Sequence, residues 1–515
     1  MKRIFTFIVS ILATATLFAQ SAEDGLLFSQ EEYEGTARTV AMGGAFTALG
    51  GDLGAVAINP ASSGVFRYSQ FTFTPSFTKS RAKTTYAGGK MKEKMTRPAI
   101  SNVGYLSSFD TGNYTGLLNI NFGIVYNKKN NLNSIISASG STDESSYLGS
   151  LANSLEGIDY RLLESSDGFN PYYNGNAPWA GIAAYNAYLV DLDGDWDDAY
   201  IGATENKDGN EIFTGGMIDQ NYFRKATGSI QEYALNLGAN VSDIFYFGAN
   251  LNLMSVDYDI EEAFAESAQN PAQLQSGLRG MSQKYWRTTT GSGINLKFGA
   301  ICTPLPGLRL GATFTTTTLY TLTDSWQYET SSSFDRSLLS PDDFHVSSDI
   351  RTPEGVFDYQ VKAPMRWSLG AAYTFGTKGL VSFDYEGVDY ASITMRDYAG
   401  NPNEFSYENS YIRQNFGVAS VIRIGCELWA DDGFALRGGF TSYSPAADYL
   451  SAKNYLSFGC GWKLSRTTTF DIAFQRRIEK TEDFALYDDY AGIAAPVGSA
   501  LSRQGKLLFT LGYKF

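Results

Sequence analysis

His345 is the only histidine in the chain, so it is the first residue to consider for catalysis. Acyl hydrolases use a nucleophile that a basic partner, usually histidine, activates. His345 ends the polar run Pro341-Asp342-Asp343-Phe344-His345, and no Gly-x-Ser-x-Gly nucleophile elbow accompanies it. The residue types that hydrolysis needs are therefore not arranged for it, and we predict that the protein is not an enzyme and uses no cofactor.

Aspartates at alternate positions are the next candidates for chemistry, because spaced carboxylates can supply hard oxygen ligands to calcium. Asp191, Asp193 and Asp195 lie in an acidic run that ends at Asp198. An EF-hand loop counted from Asp191 needs glycine at its sixth position and glutamate at its twelfth, where this chain has tryptophan and glycine. We predict a solvated acidic loop without a metal, in which those three aspartates are only weak candidates.

Aromatic residues in the same region could contact an apolar ligand. They are Tyr172, Tyr173, Trp179 and Trp196. Ordinary packing of the loop explains them equally well, so both readings stay open.

The elements that would position these residues are β-strands. In the last nine residues, Leu507, Phe509, Leu511, Tyr513 and Phe515 alternate with smaller or more polar residues. A strand points successive side chains to opposite faces, and about nine to eleven tilted residues cross a bilayer's hydrocarbon layer. An aromatic terminal residue closing such a strand is typical of the final strand of a bacterial outer-membrane barrel. We expect the barrel assembly machinery to recognise the chain through Phe515.

Period-two alternation predicts about fourteen strands, with boundaries uncertain by two to four residues. They lie near 69–79, 99–109, 116–127, 229–241, 244–258, 288–303, 306–321, 359–375, 378–394, 411–429, 433–444, 454–464, 467–479 and 503–515. Short turns rich in Gly, Asp, Asn and Pro alternate with long loops. A soluble sandwich has no reason to place every long loop at one end, whereas membrane barrels do so. The pattern predicts an all-β, 14-stranded antiparallel transmembrane β-barrel, closed by pairing of 503–515 with 69–79.

Two of the predicted long loops have features of their own. The loop near 128–228 is almost the size of a domain, and its second half is acidic and aromatic. Residues 259–287 have apolar residues at spacings that predict an amphipathic helix capping the barrel mouth.

The amino terminus predicts export. Lys2 and Arg3 precede an apolar run over 4–12 that has the length of a signal peptide, which we place at 1–20. The net charge of -14 argues against nucleic acid as a partner. Three widely separated cysteines, Cys302, Cys426 and Cys460, lie in strand-like runs, and we expect them to be unpaired.

Residues 35–61 are rich in glycine and alanine and have no barrel-strand pattern. Arg38, the run Met42-Gly43-Gly44-Ala45, Asp52 and the run Asn59-Pro60-Ala61 resemble the start of the outer-membrane long-chain fatty acid transporter family, the FadL/TodX family. The resemblance implies a monomeric barrel over 69–515 in the outer membrane of a Gram-negative bacterium, among outer-membrane lipids. It also implies an N-terminal hatch over 21–68 that plugs the lumen.

The same resemblance implies transport of a hydrophobic small molecule, a long-chain fatty acid or a similar apolar ligand. We expect capture by the outer loops and passage past the hatch, with Gly43, Gly44, Asn59, Pro60 and Ala61 as the ligand and hatch residues. Their alternative role is that of structural turns. Because the family also contains barrels that serve secretion, a role in protein secretion or as a surface interaction protein is the alternative function.

Overall fold

The structure is a computed structural model that describes residues 20–194, 196–339, 347–430 and 433–515. The signal-peptide run over 1–19, Asp195 and His345 lie outside this part of the chain.

Strands dominate the structure. In chain order they are β1 (Gln70–Tyr86), β2 (Gly89–Asp110), β3 (Leu117–Asn131), β4 (Ser134–Thr142), β5 (Val190–Leu192), β6 (Tyr200–Gly202), β7 (Glu205–Asp208), β8 (Glu211–Thr214), β9 (Ile218–Val241), β10 (Phe245–Ala268), β11 (Leu278–Leu305), β12 (Leu308–Thr315), β13 (Thr318–Phe334), β14 (Asp349–Arg351), β15 (Gly355–Ala363), β16 (Arg366–Thr374), β17 (Gly379–Asp389), β18 (Thr394–Asp397), β19 (Val418–Trp429), β20 (Phe434–Tyr443), β21 (Lys453–Lys463), β22 (Thr468–Arg477), β23 (Lys480–Ala485) and β24 (Val497–Lys514).

Helices are few and short. They are α1 (Ala22–Ser29), α2 (Ala37–Ala41), α3 (Ala55–Ile58), α4 (Tyr147–Leu155), α5 (Pro171–Asn174), α6 (Trp179–Asn186) and α7 (Ser406–Asn415), with 3-10 turns at Pro60–Val65, Tyr160–Leu162, Pro271–Gln273 and Tyr390–Ser392. Among the residues that the structure describes, no helix is both long and apolar enough to span a bilayer.

The large sheet is a closed antiparallel ring of fourteen strands, which confirms the predicted fold class. Five ring strands are built from more than one segment: β3 with β4, β12 with β13, β14 to β16, β17 with β18, and β22 with β23. The ring closes where β24 pairs with β1, from Gln70 opposite Lys514 to Thr85 opposite Ser499. Closure leaves no free edge along this seam, which is the predicted pairing of the first and last strands.

Each ring strand has an apolar outward face and a smaller or polar inward face. On β1, Phe71, Phe73 and Phe77 are exposed on the outside, whereas Thr72 and Thr74 between them are buried. An apolar outward band of this kind suits a bilayer, because hydrocarbon rather than water then surrounds the large side chains. We call the end of the ring with the short turns the turn end and the opposite end the loop end.

Several ring strands continue far beyond the predicted boundaries at the loop end. Residues 80–98, expected to be a loop, form the upper half of a hairpin that turns at Ala87 and Gly88. The prediction of a helix over 259–287 is wrong. Most of these residues belong to β10 and β11, which stay paired with each other as far as Ser267 and Gly280. The reason is that antiparallel pairing satisfies the backbone hydrogen bonds at polar positions as well as at apolar ones. Residues 411–415 differ from the prediction in the other direction. The sequence predicts a strand there, whereas in the structure these residues form the last part of α7.

The large loop is itself folded. Because β4 and β9 extend toward it, the loop proper spans 143–217, within the predicted 128–228. It contains α4 to α6 and two small hairpins, β5–β6 and β7–β8. Leu148, Leu155, Ile182 and Leu189 are fully buried in its core. We call residues 143–217 the outer loop.

The segment over 20–66 contacts the inward faces of strands on opposite sides of the ring. Thr441 on β20 donates a hydrogen bond to the carbonyl of Gly43 at 2.7 Å, and the Asn59 amide reaches the carbonyl of Ala300 on β11 at 3.3 Å. A Cβ added at Gly439 would collide with the backbone at Met42 and Gly43. Glycine on the strand thus allows the two backbones to approach closely.

Candidate functional site

A cavity of about 1980 Å³ lies inside the loop end of the ring. It is bounded by α1 and the residues that follow it, by the upper parts of β9 to β11, and by the outer loop. Its size exceeds that of most small-molecule sites, which suits an elongated or loosely held ligand better than a single tight pose.

Aromatic side chains cover one side of the cavity. Trp179 of the outer loop has its ring centroid 5.1 Å from that of Tyr172 and 5.3 Å from that of Trp326 on β13. Tyr285 on β11 and Tyr328 on β13 form a second pair with centroids 4.7 Å apart. Rings at these separations bury a large apolar area while each ring keeps a favourable edge or face contact.

One ion pair anchors α1 beneath the cavity. The Arg287 guanidinium donates to both carboxylate oxygens of Asp24, at 2.9 Å and 2.6 Å, and lies 3.9 Å from Asp324. Asp24 also accepts a hydrogen bond from the backbone of Ser21 in a capping box at the start of α1. A bidentate pair that is nearly inaccessible to solvent fixes the helix in one orientation. Arg287 is thereby committed to the protein rather than to a ligand.

Arg224, also in the cavity lining, is less firmly paired than Arg287. Its Nε atom lies 3.4 Å from the Glu262 carboxylate, and its Nη2 atom lies 3.5 Å from the Tyr258 hydroxyl. Both distances exceed those of a short charge-assisted hydrogen bond. An anionic group entering the cavity could therefore approach Arg224 at smaller cost than Arg287.

Two acidic groups at or near the cavity, Asp488 and Glu205, have raised pKa values. Burial, and then the neighbouring charge of Asp489, raise the pKa of Asp488 at the cavity wall to about 6. In the outer loop, burial is the largest cause that raises the pKa of Glu205 to about 7, although the Gly202 amide donates to its carboxylate at 2.8 Å. Both carboxyl groups consequently change charge at higher pH than ordinary aspartate or glutamate.

The predicted hatch residues lie below this cavity and do not line it. Gly43 and Gly44 adopt positive φ values of 63° and 72°, a conformation that glycine adopts without strain. Asn59 caps the following turn by accepting from the Ala61 amide at 2.9 Å, and it donates to the Thr47 carbonyl at 2.6 Å. These contacts give the glycines and the Asn-Pro-Ala turn a structural role. Their part in ligand passage stays a prediction.

Charged contacts also hold the N-terminal segment to the ring. Arg38 pairs with Glu427 at 2.8 Å, and Glu34 pairs with Lys506 at 2.7 Å, on β19 and β24 respectively. Each of these carboxylates is almost inaccessible to solvent. A buried pair that loses one partner leaves an uncompensated charge, so the contacts fix where the segment docks.

Two of the three weak metal candidates are described. Lys207 pairs with Asp193, and the Asp191 carboxylate accepts from the Leu192 amide at 2.8 Å. Within the described part of the chain, no three or more His, Cys, Asp or Glu side chains are grouped as metal ligands. The cysteines Cys302, Cys426 and Cys460 are free thiols.

Three of the four predicted capture aromatics line the cavity, namely Tyr172, Tyr173 and Trp179. Trp196 is 69 % exposed and lies elsewhere on the outer loop. The sequence reasoning missed the cavity residues on the extended strands. They are Arg224, Tyr258, Phe264, Tyr285, Arg287, Trp326 and Tyr328. The even-numbered alternation of β10, continued through 258–264, could have revealed Tyr258 and Phe264 if 259–287 had not been interpreted as a helix.

Comparison with known proteins extends the description of the fold. No family model matches the chain, and no curated protein matches it either. Among solved structures, the toluene transporter TodX of P. putida superposes with a TM-score of 0.52 at 13% identity, over 94% of this chain and 99% of that chain. A Pseudomonas aeruginosa FadL homologue superposes with a TM-score of 0.55 at 11% identity, over 94% and 99% of the two chains.

This chain has the FadL-type barrel fold. The match covers nearly the whole of each barrel, whereas the identity is too low to transfer a ligand or a residue role. The FadL-type fold was the one that the N-terminal motif had led us to expect.

Proposed function

We propose that this protein carries hydrophobic small molecules across a bacterial outer membrane. The observation that supports this most is the aromatic-lined cavity, enclosed by a closed barrel and bordered by both α1 and the outer loop. An apolar solute crosses a water-filled, polar pore poorly, and such a cavity offers it an apolar resting place. TodX, which has the same fold, is named a toluene transporter rather than an enzyme.

The proposed route begins at the outer loop. Tyr172, Tyr173 and Trp179 would receive the ligand, and Phe264 and Tyr285 would hold it above α1. Segment 21–68 would then act as the plug, because it contacts the inward faces of several strands and leaves the ligand no straight path. Barrel residues would be those over 69–515.

Release requires either movement of the plug or an opening in the wall. The ring has an irregularity between β3 and β4, where the pairing shifts between Lys128 and Asn130 and the strand breaks at Leu132 and Asn133. Leu132 and Asn133 also line the cavity. We propose that ligand leaves toward this break when the plug stays docked.

A long-chain fatty acid is one ligand within this proposal. Its carboxylate would need a cation, and Arg224, which lies 3.4 Å from Glu262 and 3.5 Å from Tyr258, is held less tightly by the protein than Arg287 is. An uncharged aromatic hydrocarbon would need no such contact. Uptake of palmitate but not of toluene should therefore fall in an Arg224→Gln variant if the ligand is a fatty acid.

The transport proposal can be tested with purified protein in liposomes. The double variant Phe264→Ala, Tyr285→Ala removes two rings of the cavity, and Trp196→Ala is the matched control because it removes an exposed ring that does not line the cavity. We expect uptake of labelled palmitate or toluene to fall at least about tenfold in the double variant, since each lost ring removes roughly 1 kcal/mol or more of apolar contact. Equal uptake by the double variant and the control would contradict the proposal.

The folded outer loop favours a second candidate function, that of a surface interaction or secretion protein. Its own apolar core gives it a defined surface that could dock a protein. Deleting 143–217 distinguishes the two functions. Uptake should survive in part if the loop only gates the cavity, whereas capture of a protein partner should disappear if the loop is the docking surface. A monomeric state and assembly through Phe515 remain predictions.

A further inference from the structure

The hairpin formed by β1 and β2 carries an unusual charge pattern at the loop end. Above Phe77, the outward positions of β1 change from apolar to basic, and the outward positions of β2 are basic over the same height. The six side chains, which we call the basic hairpin face, are Lys79, Arg81, Lys83, Lys90, Lys92 and Lys94. All six are exposed.

Strand register places these cations on one face. Arg81 lies opposite Lys94, and Lys83 lies opposite Lys92, so each pair shares the outward side of the sheet. Directly opposite residues have their Cβ atoms about 5 Å apart, and like charges in that arrangement destabilise the sheet. A bound anion between the strands would offset the repulsion.

No acidic side chain neutralises the basic hairpin face. Within the described part of the chain, none of its six members forms an ion pair. The only acidic residue of this stretch, Glu93, points to the opposite face and accepts a hydrogen bond from Ser137 at 3.0 Å. Elsewhere on the ring, in contrast, the partly exposed Lys225 and the exposed Lys284 have carboxylate partners at 3.1 Å and 3.2 Å. The chain has a net charge of -14, so an unpaired basic surface is a local exception.

Protection of a sheet edge does not explain the pattern. Lysines on an edge strand prevent unwanted pairing with other chains, and the upper part of β2 is such an edge because β3 pairs only from Asn102 onward. However, β1 is paired on both sides, with β2 and with β24, up to Thr85. Lys79, Arg81 and Lys83 therefore have no edge to protect.

The height of the basic hairpin face along the barrel indicates what kind of partner it binds. Phe71, Phe73 and Phe77 belong to the outward apolar band, and Lys79 follows two residues later, about 7 Å along the strand. If a bilayer surrounds the apolar band, its hydrocarbon layer would end and its lipid headgroups would begin at this height. We propose that the basic hairpin face binds the phosphate groups of phosphorylated glycolipids in the outer leaflet. Lysine and arginine are the side chains that recognise such phosphates.

This inference rests on the proposed placement in an outer membrane but not on transport. In detergent micelles, the full chain would be titrated with diphosphoryl lipid A, and bound lipid would be counted by native mass spectrometry. We expect tighter binding of diphosphoryl lipid A than of its dephosphorylated form. Lys83→Ser, Lys92→Ser should weaken binding about tenfold or more, since each basic residue near a charged lipid surface contributes about 1 kcal/mol.

The matched control is Lys225→Ser, Lys284→Ser, which removes two at least partly exposed lysines that have acidic partners, and it should bind as the unchanged protein does. Equal affinity for both forms of the lipid would overturn the proposal even if the Lys83, Lys92 variant failed to fold. Displacement of the lipid by millimolar inorganic phosphate would also overturn it, because the site would then recognise the free ion. Palmitate and toluene uptake should be unchanged in the lysine variant, so failure here and failure of the transport proposal are distinguishable.

Discussion

Asp24 and Arg287 show how single residues define the cavity. The two are separated by 263 positions in sequence, yet their bidentate pair fixes α1 as the cavity floor. The capping box places Asp24 at the start of α1, but no local motif marks Asp24 and Arg287 as partners of each other. Two predictions concern individual side chains of this kind.

Replacing Asp24 by Asn should loosen α1 without disturbing the ring. Arg287 would lose its bidentate partner while remaining buried, and breaking a buried pair costs about 3–5 kcal/mol. Hydrogen exchange over 20–32 should become faster, whereas exchange in β10 and β11 should not change. Glu23→Gln is the control, because Glu23 is exposed on the same helix. Unchanged exchange in Asp24→Asn would show that the pair does not hold α1.

The outer loop should be more stable at pH 5 than at pH 8. Glu205 has a folded-state pKa of about 7, above its ordinary value of 4.5, because burial disfavours its charged form. Folding therefore retains a proton that the unfolded loop releases, and stability is lost as pH rises from about 4.5 to about 7, by up to about 3 kcal/mol. Amide exchange in α4 and α6 measures this. Glu205→Gln should abolish most of the pH dependence, and Glu211→Gln, at an exposed position on β8, should keep it.

Strands and the segment inside the ring are joined by close backbone contacts. On β20, Gly438 and Gly439 are neighbours that point to opposite faces of the sheet. A Cβ at Gly439 would collide with the segment at Met42 and Gly43, whereas a Cβ at Gly438 would meet only the Cys426 sulfur, at an ordinary 3.5 Å. The two glycines thus offer a matched pair for testing whether docking of the segment matters.

Gly439→Val should displace the segment around Gly43, and Gly438→Val should leave it in place. We expect protease cleavage within 35–61 for the first variant only, because the collision involves backbone atoms that cannot rotate away. Limited proteolysis of folded protein in micelles, followed by mass spectrometry, reads out the cleavage. Equal resistance of the two variants would show that the ring accommodates the extra side chain by moving β20.

For the whole molecule, the closed ring, the internal segment and the outer loop enclose one large cavity. A barrel of fourteen strands without an internal segment would have an open lumen. Ion conductance through the protein therefore shows whether the internal segment obstructs the lumen.

The full chain in a planar bilayer should show no large steady conductance, and removal of 20–66 should produce one. The deletion opens the lumen while the seam between β1 and β24 keeps the ring closed. Single-channel recording measures both proteins, with heat-modifiable gel mobility as the check that the shortened barrel folds. A large steady conductance of the full chain would contradict the proposal that segment 21–68 plugs the barrel.

The sequence by itself determined the barrel. Alternation, turn residues and the order of short and long connections are local features, and each strand repeats the same period of two. The closing pair of strands followed from the need to remove sheet edges. The N-terminal motif indicated the FadL-type fold.

Only the tertiary structure decided how far the strands extend, what the cavity contains and where the basic hairpin face lies. Beyond the apolar band, the residues of β10 and β11 have a local pattern that also fits a helix. Only the pairing of these two strands with each other shows that they are strands. Contacts such as Arg287 with Asp24 depend on ring closure, which brings together residues far apart in the chain. Likewise, the six cations become one surface only because register places Arg81 opposite Lys94. A one-residue slip would move half of them to the other face.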